Sequence, residues 1–162
     1  MKVRQAGPED VPQLITLFEE LERMQRDWRV FTPRPGFYDE VARRFRAALD
    51  ADDQVVLVAE DDGEVVGMAY AEVHVPSRFS DERALELSGV VVRSGYRGQG
   101  VGRALVEEAA RFAQERQVGW IELKSFWPNK TSMEFWGALG FTPRVVQLVA
   151  STEEAARLSH SE

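Results

Sequence analysis

Leu14, Leu17, Phe18 and Leu21 recur at the spacing of one helical face and predict a first helix over Glu9–Gln25. Val41, Phe45 and Leu49 predict a second helix over Phe37–Leu49. Between them, Asp27–Gly36 carries Pro33 and Pro35 with Trp28 and Phe31, which predicts a loop or a broken helix. The remaining pattern is strand-like at both shorter ends and in the middle. Val3–Ala6 alternates, and Gln54–Glu60 and Glu64–Val75 are β-branched runs joined by Asp61-Asp62-Gly63, a hairpin signature. Ala84–Val92 reads as a further strand. Gly95–Gly102 then opens a helix that runs to Arg116, with Leu105, Val106, Ala109 and Phe112 as its apolar stripe. Trp120–Ser125 predicts a strand, Asn129–Leu139 a helix closed by Gly140, and Thr142–Val149 a last strand. Ser151–Glu162 is a short helix or loose tail. The order βααβββαβαβ, without repeat or linker, predicts one α/β (α+β) domain over residues 1–150 and a tail over 151–162.

Composition narrows the class without naming a function. The 162 residues are enough for one substantial core, and 44% apolar with 29% charged residues is ordinary globular usage. With no cysteine, a zinc ribbon, a thiol nucleophile and a Cys-ligated cluster are excluded, and no metal is expected. No apolar run approaches the ~18 residues of a membrane span, and Met1–Asp10 lacks a signal-peptide core, so a cytoplasmic protein without membrane partner is expected. The net charge of -7 argues against nucleic acid as partner and favours a cationic one.

Charge inverts locally at Arg93-Ser94-Gly95-Tyr96-Arg97-Gly98-Gln99-Gly100-Val101-Gly102-Arg103, which contains no acid. Here a strand runs into a turn with four glycines and then into a helix. Glycine permits positive φ and close backbone approach, and a helix N-terminus offers unpaired N–H groups and the positive end of its dipole. Arg93, Arg97 and Arg103 add positive charge. Together they predict a phosphate or pyrophosphate ligand, against the plainer alternative of a tight turn with solvated arginines. The P-loop pattern is absent, and G-x-G-x-x-G is half met because Arg103 stands where the third glycine belongs. A dinucleotide-binding protein is therefore the weaker reading.

Arg97-Gly98-Gln99-Gly100-Val101-Gly102 resembles the [Q/R]-x-x-G-x-[G/A] acyl-CoA pyrophosphate motif of the GNAT N-acetyltransferase superfamily. Trp120–Leu123 resembles that family's next strand. Asn129–Trp136 followed by Leu139-Gly140-Phe141 resembles its N-x-x-A-x-x-[FY]-Y…LGF segment, so the likeness covers roughly residues 54–148. Leu87-Ser88-Gly89 and the Arg144-Val145-Val146 ending are similar to aminoglycoside 6'-N-acetyltransferases. The resemblance implies a mixed, mostly antiparallel sheet of six to seven strands flanked by four helices. It also implies acetyl-CoA as acyl donor and a small-molecule or peptide amine as acceptor, with a homodimer among the expected assemblies.

The same resemblance implies site residues. Val90, Val91 and Val92 would pair with the pantetheine arm as an added strand, and the Val92 N–H would polarise the thioester carbonyl. The N–H groups of Arg97, Gly98, Gln99, Gly100, Val101 and Gly102 would hold the pyrophosphate, with the Arg103 or Arg97 side chain on a phosphate. Asn129 would cap Ser132 or touch the pantetheine. Trp136 stands where relatives place a tyrosine that protonates the leaving thiolate; an indole N–H is no usable acid, so Trp136 packs on the ligand or in the core.

Amine attack on a thioester requires a proton acceptor. Alternation puts Glu86, Ser88 and Val90 on one strand face, and Glu86 is the candidate base. The alternative is an exposed Glu86 paired with an arginine such as Arg83. Relatives carry the acid at the position of Ser88, two residues on. Glu72 and His74 are runners-up, with a solvent-facing reading beside each. Trp28, Phe31, Phe37, Phe126 and Trp127, with Asp27, Glu72 or Glu86, form a candidate aromatic and acidic acceptor pocket, against the alternative that they are core. A catalytically silent acyl-CoA-binding module is the competing function, favoured by Trp136 and Ser88.

Overall fold

Asp62 and Gly63 take φ of 47° and 82°, the paired left-handed conformation of a type I′ hairpin turn, and they close a two-residue connection. The turn joins β2 (Gln54–Asp61) to β3 (Glu64–His74), with Asp61 opposite Glu64. The computed structural model describes residues 1–26, 33–76, 81–146, 148 and 150–153. Within them the chain forms two compact units, Met1–Lys124 and Ser125–Glu162.

The first unit holds a five-stranded sheet in the order β1-β2-β3-β4-β5, where β1 is Lys2–Gln5, β4 is Ala84–Val92 and β5 is Trp120–Leu123. The first three pairings are antiparallel and β4 with β5 is parallel, because a helix connects that last pair. Helix α1 (Val11–Gln25) and α2 (Phe37–Leu49) cover one face. Their Leu14, Leu17, Phe45 and Ala48 form one buried cluster with Val56, Val58, Met68, Tyr70 and Val91 of the sheet. Helix α3 (Val101–Glu115) covers the other face. It packs so closely that a Cβ on Gly67 would lie 3.1 Å from Val101 and 3.2 Å from Leu105. The second unit contributes α4 (Lys130–Ala138), which ends at Gly140 with φ 88°.

Two expectations need correction. The sheet has five strands among the described residues, not six or seven, and the predicted strand over Thr142–Val149 is not formed at 142–146 or 148. Its apolar residues bury no face: Val145 and Leu148 are each 89% exposed. The pattern Val-Val-x-Leu was strand-like, but period alone gives no partner. The first helix also begins as a 3-10 turn, Pro8–Asp10, before α1. Buried Asp10 anchors that start. It accepts the Gly7 N–H at 2.7 Å and pairs with Arg4 at 2.6 Å, and the Arg4 hydrogen bond holds its carboxyl below the usual range.

Candidate active site

The strand β4 runs past the end of its partner. β5 pairs with Ala84–Leu87 only, so the outer edge of Ser88–Val92 has no strand against it among the described residues. The Arg93 N–H donates to the Val66 carbonyl at 2.9 Å, which makes that pair a hydrogen-bonded one. By the alternation of an antiparallel ladder, the main-chain groups of Val92 and Val90 then point away from β3, while those of Val91 point toward it. Of the three valines expected to present their backbone, Val90 and Val92 do so by register. The buried Val91 side chain belongs to the core.

Past Val92 the chain makes a 3-10 turn, Ser94–Tyr96, and then the glycine-rich bend. Gly98 and Gly100 have φ of 74° and 85°, and nothing lies within 4 Å of where a Cβ would stand on either. These two are the glycines whose backbone conformation demands the residue. Gly100 caps α3, and the Ala104 N–H closes the first turn onto its carbonyl at 3.0 Å. The N–H groups of Val101, Gly102 and Arg103 are therefore the orphan donors of a helix start. Those of Gly98, Gln99 and Gly100 also have no backbone acceptor among the described residues. The result is a concave run of donors at the positive end of a helix, matched in chemistry to a pyrophosphate.

The arginines divide. Arg97 donates to the Val92 carbonyl at 2.9 Å and lies 3.3 Å from Glu20 of α1, so its side chain braces the turn. Arg93 pairs with Glu64 at 3.2 Å. Arg103 is exposed on the first turn of α3 and has no ion-pair partner among the described residues. The Gln99 side chain donates to the Gly95 carbonyl at 2.8 Å, another internal brace.

At the other end of β4 the ladder carries an irregularity. Tyr70 pairs with Gly89 and Ala71 with Leu87, leaving Ser88 as one extra residue on β4. This bulge overturns the simple alternation of Glu86, Ser88 and Val90. Glu86 shares its face with Gly89 and Val91, the face covered by α1 and α2, and Val90 turns to the α3 side. A small cleft of about 90 Å³ opens on that first face beside the bulge. Phe18, Val41, Arg44, Phe45, Tyr70 and Gly89 are among the residues that line it.

Tyr70 was missed by sequence reasoning, although its position two residues before Glu72 placed both on one face. Its hydroxyl lies 2.7 Å from Glu72 and 2.9 Å from Gln54, and it accepts from Arg44 Nε at 3.2 Å. Burial, then the Glu72 hydrogen bond, push the Tyr70 hydroxyl up to about 12. The Tyr70 hydrogen bond in turn holds the Glu72 carboxyl below its ordinary value. Arg44 also pairs with Glu72 at 3.1 Å, so Glu72 is a braced carboxylate and not the solvent-facing one of the plainer reading.

The register puts Glu72, Glu86 and Glu122 opposite one another in a single row across β3, β4 and β5. Three carboxylates in one row repel unless cations intervene. Arg44 serves Glu72, and Lys124 lies 2.9 Å from Glu86 Oε1. His74 Nε2 lies 2.8 Å from Glu122 Oε1 and 3.8 Å from Glu86 Oε2. Glu86 is thus neither free nor paired with Arg83; its side chain is 17% exposed and its partner is Lys124. The Glu86 hydrogen bond holds the Lys124 ammonium above its usual range.

The second unit arranges its own candidates. Asn129 Oδ1 accepts the Ser132 N–H at 3.1 Å as the N-cap of α4, and the Ser125 and Ser132 hydroxyls lie 3.0 Å apart. Trp136 is half-buried and meets Phe141 edge-on at 5.3 Å between ring centroids. Trp127 is exposed and Phe126 half-buried. Phe37, in the first unit, packs against Phe18 at 6.0 Å. Asp27, Trp28 and Phe31 lie outside the described residues.

No described helix is long and apolar enough to cross a membrane. Residues 18–141 match the acetyltransferase (GNAT) family model. An uncharacterised N-acetyltransferase of Archaeoglobus fulgidus is 30% identical over 132 residues, covering 82% of this chain and 84% of the relative. Among solved structures, the BH1408 protein of Bacillus halodurans superposes with a TM-score of 0.81 at 21% identity, covering 93% of this chain and 99% of that one. AAC(6')-Iy in complex with the bisubstrate analogue CoA-S-monomethyl-acetylneamine superposes with a TM-score of 0.72, also at 21% identity, covering 93% and 97%. At that identity these two structures establish the fold. The family match, the Archaeoglobus relative and the strand-to-glycine-turn geometry agree, and the chain belongs to the GNAT acetyltransferase family.

Proposed function

We propose that the protein moves an acetyl group from acetyl-CoA to a primary amine of a small molecule or peptide, by direct attack in a ternary complex. One observation carries the donor half of this reading: the outward main chain of Val90 and Val92 leads straight into the donors of Gly98–Arg103. A pantetheine arm has two amides and suits an unpaired strand edge, and its pyrophosphate suits the helix start. The Val92 N–H then faces the thioester as an oxyanion donor, while its carbonyl is held by Arg97. The cleft beside Gly89 admits a short acyl group.

The amine nitrogen attacks the thioester carbon, its extra proton passes to Glu86 or through His74, and the C–S bond breaks to release a thiolate. Because a thiol has a pKa near 8.5, that thiolate leaves without an acid at Trp136. The Lys124 ammonium must first swing off Glu86, and its exposure allows this. The chain has no cysteine, so a Cys-linked acyl intermediate is impossible. The same reading assigns residues 1–150 to one acetyltransferase domain in a cytoplasmic homodimer. Its test is thiol release from acetyl-CoA across a panel of polyamines, aminoglycosides and peptide amines. Turnover with one class is expected. CoA binding without turnover on any amine would favour a silent acyl-CoA module, a reading that the Glu86–Lys124 pair supports.

A further inference from the structure

His74, Glu86 and Glu122 come from three adjacent strands, and their ligand atoms lie within 4.8 Å of one another. We propose that they form a divalent transition-metal site, suited to Zn²⁺, on the sheet face that carries Glu86. This goes beyond the acetyltransferase reading and does not depend on it. No sequence motif signals the site, because the ligands are brought together only by register: Glu86 stands opposite Glu122, and His74 opposite Ala84 two pairs further along.

The donor set is one imidazole nitrogen and two carboxylate oxygens, a combination that borderline metals accept. With metal–ligand bonds of about 2.1 Å, tetrahedral geometry separates ligand atoms by about 3.4 Å. The separations from His74 Nε2, 2.8 Å to Glu122 Oε1 and 3.8 Å to Glu86 Oε2, bracket that value. Small rotations of two side chains suffice. Glu86 divides its oxygens, since Oε1 takes the Lys124 ammonium while Oε2 faces His74. The three strands fix the ligand backbones, so little conformational freedom is lost on binding.

Charge balance explains what stands there without a metal. Two carboxylates face one another across β4 and β5, and Lys124 supplies the countercharge. Its side chain is 90% exposed, so it is held by little besides Glu86 and can leave. A neutral His74 with two carboxylates then presents two negative charges to a dication, and the fourth position stays open to water. The cation takes the Glu86 oxygen that faces His74, so occupancy switches off any proton acceptance there.

The test is calorimetric titration of ZnCl₂ into the untagged, metal-stripped protein, without CoA or amine. One equivalent is expected. His74→Ala and Glu122→Gln should each weaken binding at least ~10-fold, the effect of losing one ligand or its support. Lys124→Ala should tighten it. Co²⁺ should add the visible absorption of a four-coordinate site in the parent protein and not in His74→Ala. Circular dichroism confirms the fold of each variant, and the partly exposed Glu122 gives a second probe should His74→Ala unfold. Absence of saturable binding, or equal affinity in the parent and Glu122→Gln, overturns the proposal. Because no acyl-CoA is present, either outcome leaves the acetyltransferase reading to be judged by its own assay.

Discussion

Toward its C-terminal end β4 offers main chain: the outward groups of Val90 and Val92, then the orphan N–H donors around Gly98 and Gly100. Toward its N-terminal end it offers side chains: Glu86 flanked by Glu72, Glu122, His74 and Lys124. The first region presents backbone donors, and Arg93 and Arg97 brace it. The second region works by titratable groups whose charges are already matched. Backbone sites tolerate changes of side chain and fail on changes of φ; side-chain sites behave the opposite way.

Gly100→Asp tests that contrast hardest. At φ 85° an L residue is strained, and a carboxylate at the helix start repels a pyrophosphate. CoA affinity by calorimetry should fall at least ~100-fold, close to 3 kcal/mol. Retained affinity would mean that the turn is not a main-chain phosphate site. Glu86→Gln comes next, with kcat lower by ~10- to 100-fold and the KM for acetyl-CoA unchanged. A shift in that KM instead would blur the separation of the two ends.

Tyr70→Phe probes how far the side-chain region depends on its hydrogen bonds, with an expected loss near 1 kcal/mol at neutral pH in urea melts. Glu72 has a depressed pKa in the folded state, so its contribution is complete above its ordinary value of 4.5 and disappears as pH falls through the folded value. The difference between the parent and Tyr70→Phe should therefore shrink on acidification below 4.5. A constant difference would mean that Glu72 does not carry it. The smallest effect belongs to Arg103→Ala: a loss of ~3- to 10-fold in CoA affinity that vanishes in high salt, since the side chain is exposed.

This division also explains what the sequence revealed. The glycine-rich turn was legible because a backbone site writes itself in contiguous residues, Gly98 and Gly100 above all. The helix stripes and the hairpin at Asp62-Gly63 were legible for the same reason, being local. The carboxylate row was not, since Glu72, Glu86 and Glu122 meet only through the register of three strands. Lys124 as partner of Glu86, in place of Arg83, follows from the parallel pairing of β5, which no local pattern encodes. The strand predicted at Thr142–Val149 is not formed at 142–146 or 148, because a β-like composition says nothing about a neighbour.

Ser88 contributes little through its own side chain, yet it acts as a frame marker for the strand. Pairing it into the ladder would restore regularity and turn the upstream half of β4 inside out. Leu85 and Leu87 would then meet the carboxylate face, and Glu86 would be driven under α3. Deleting Ser88 leaves the faces as they are, since Leu87 opposite Ala71 would then precede Gly89 opposite Tyr70, whereas drawing it into the pairing rewrites every position before it. The face that Glu86 takes is therefore set by Ser88 staying out of the pairing and not by its hydroxyl.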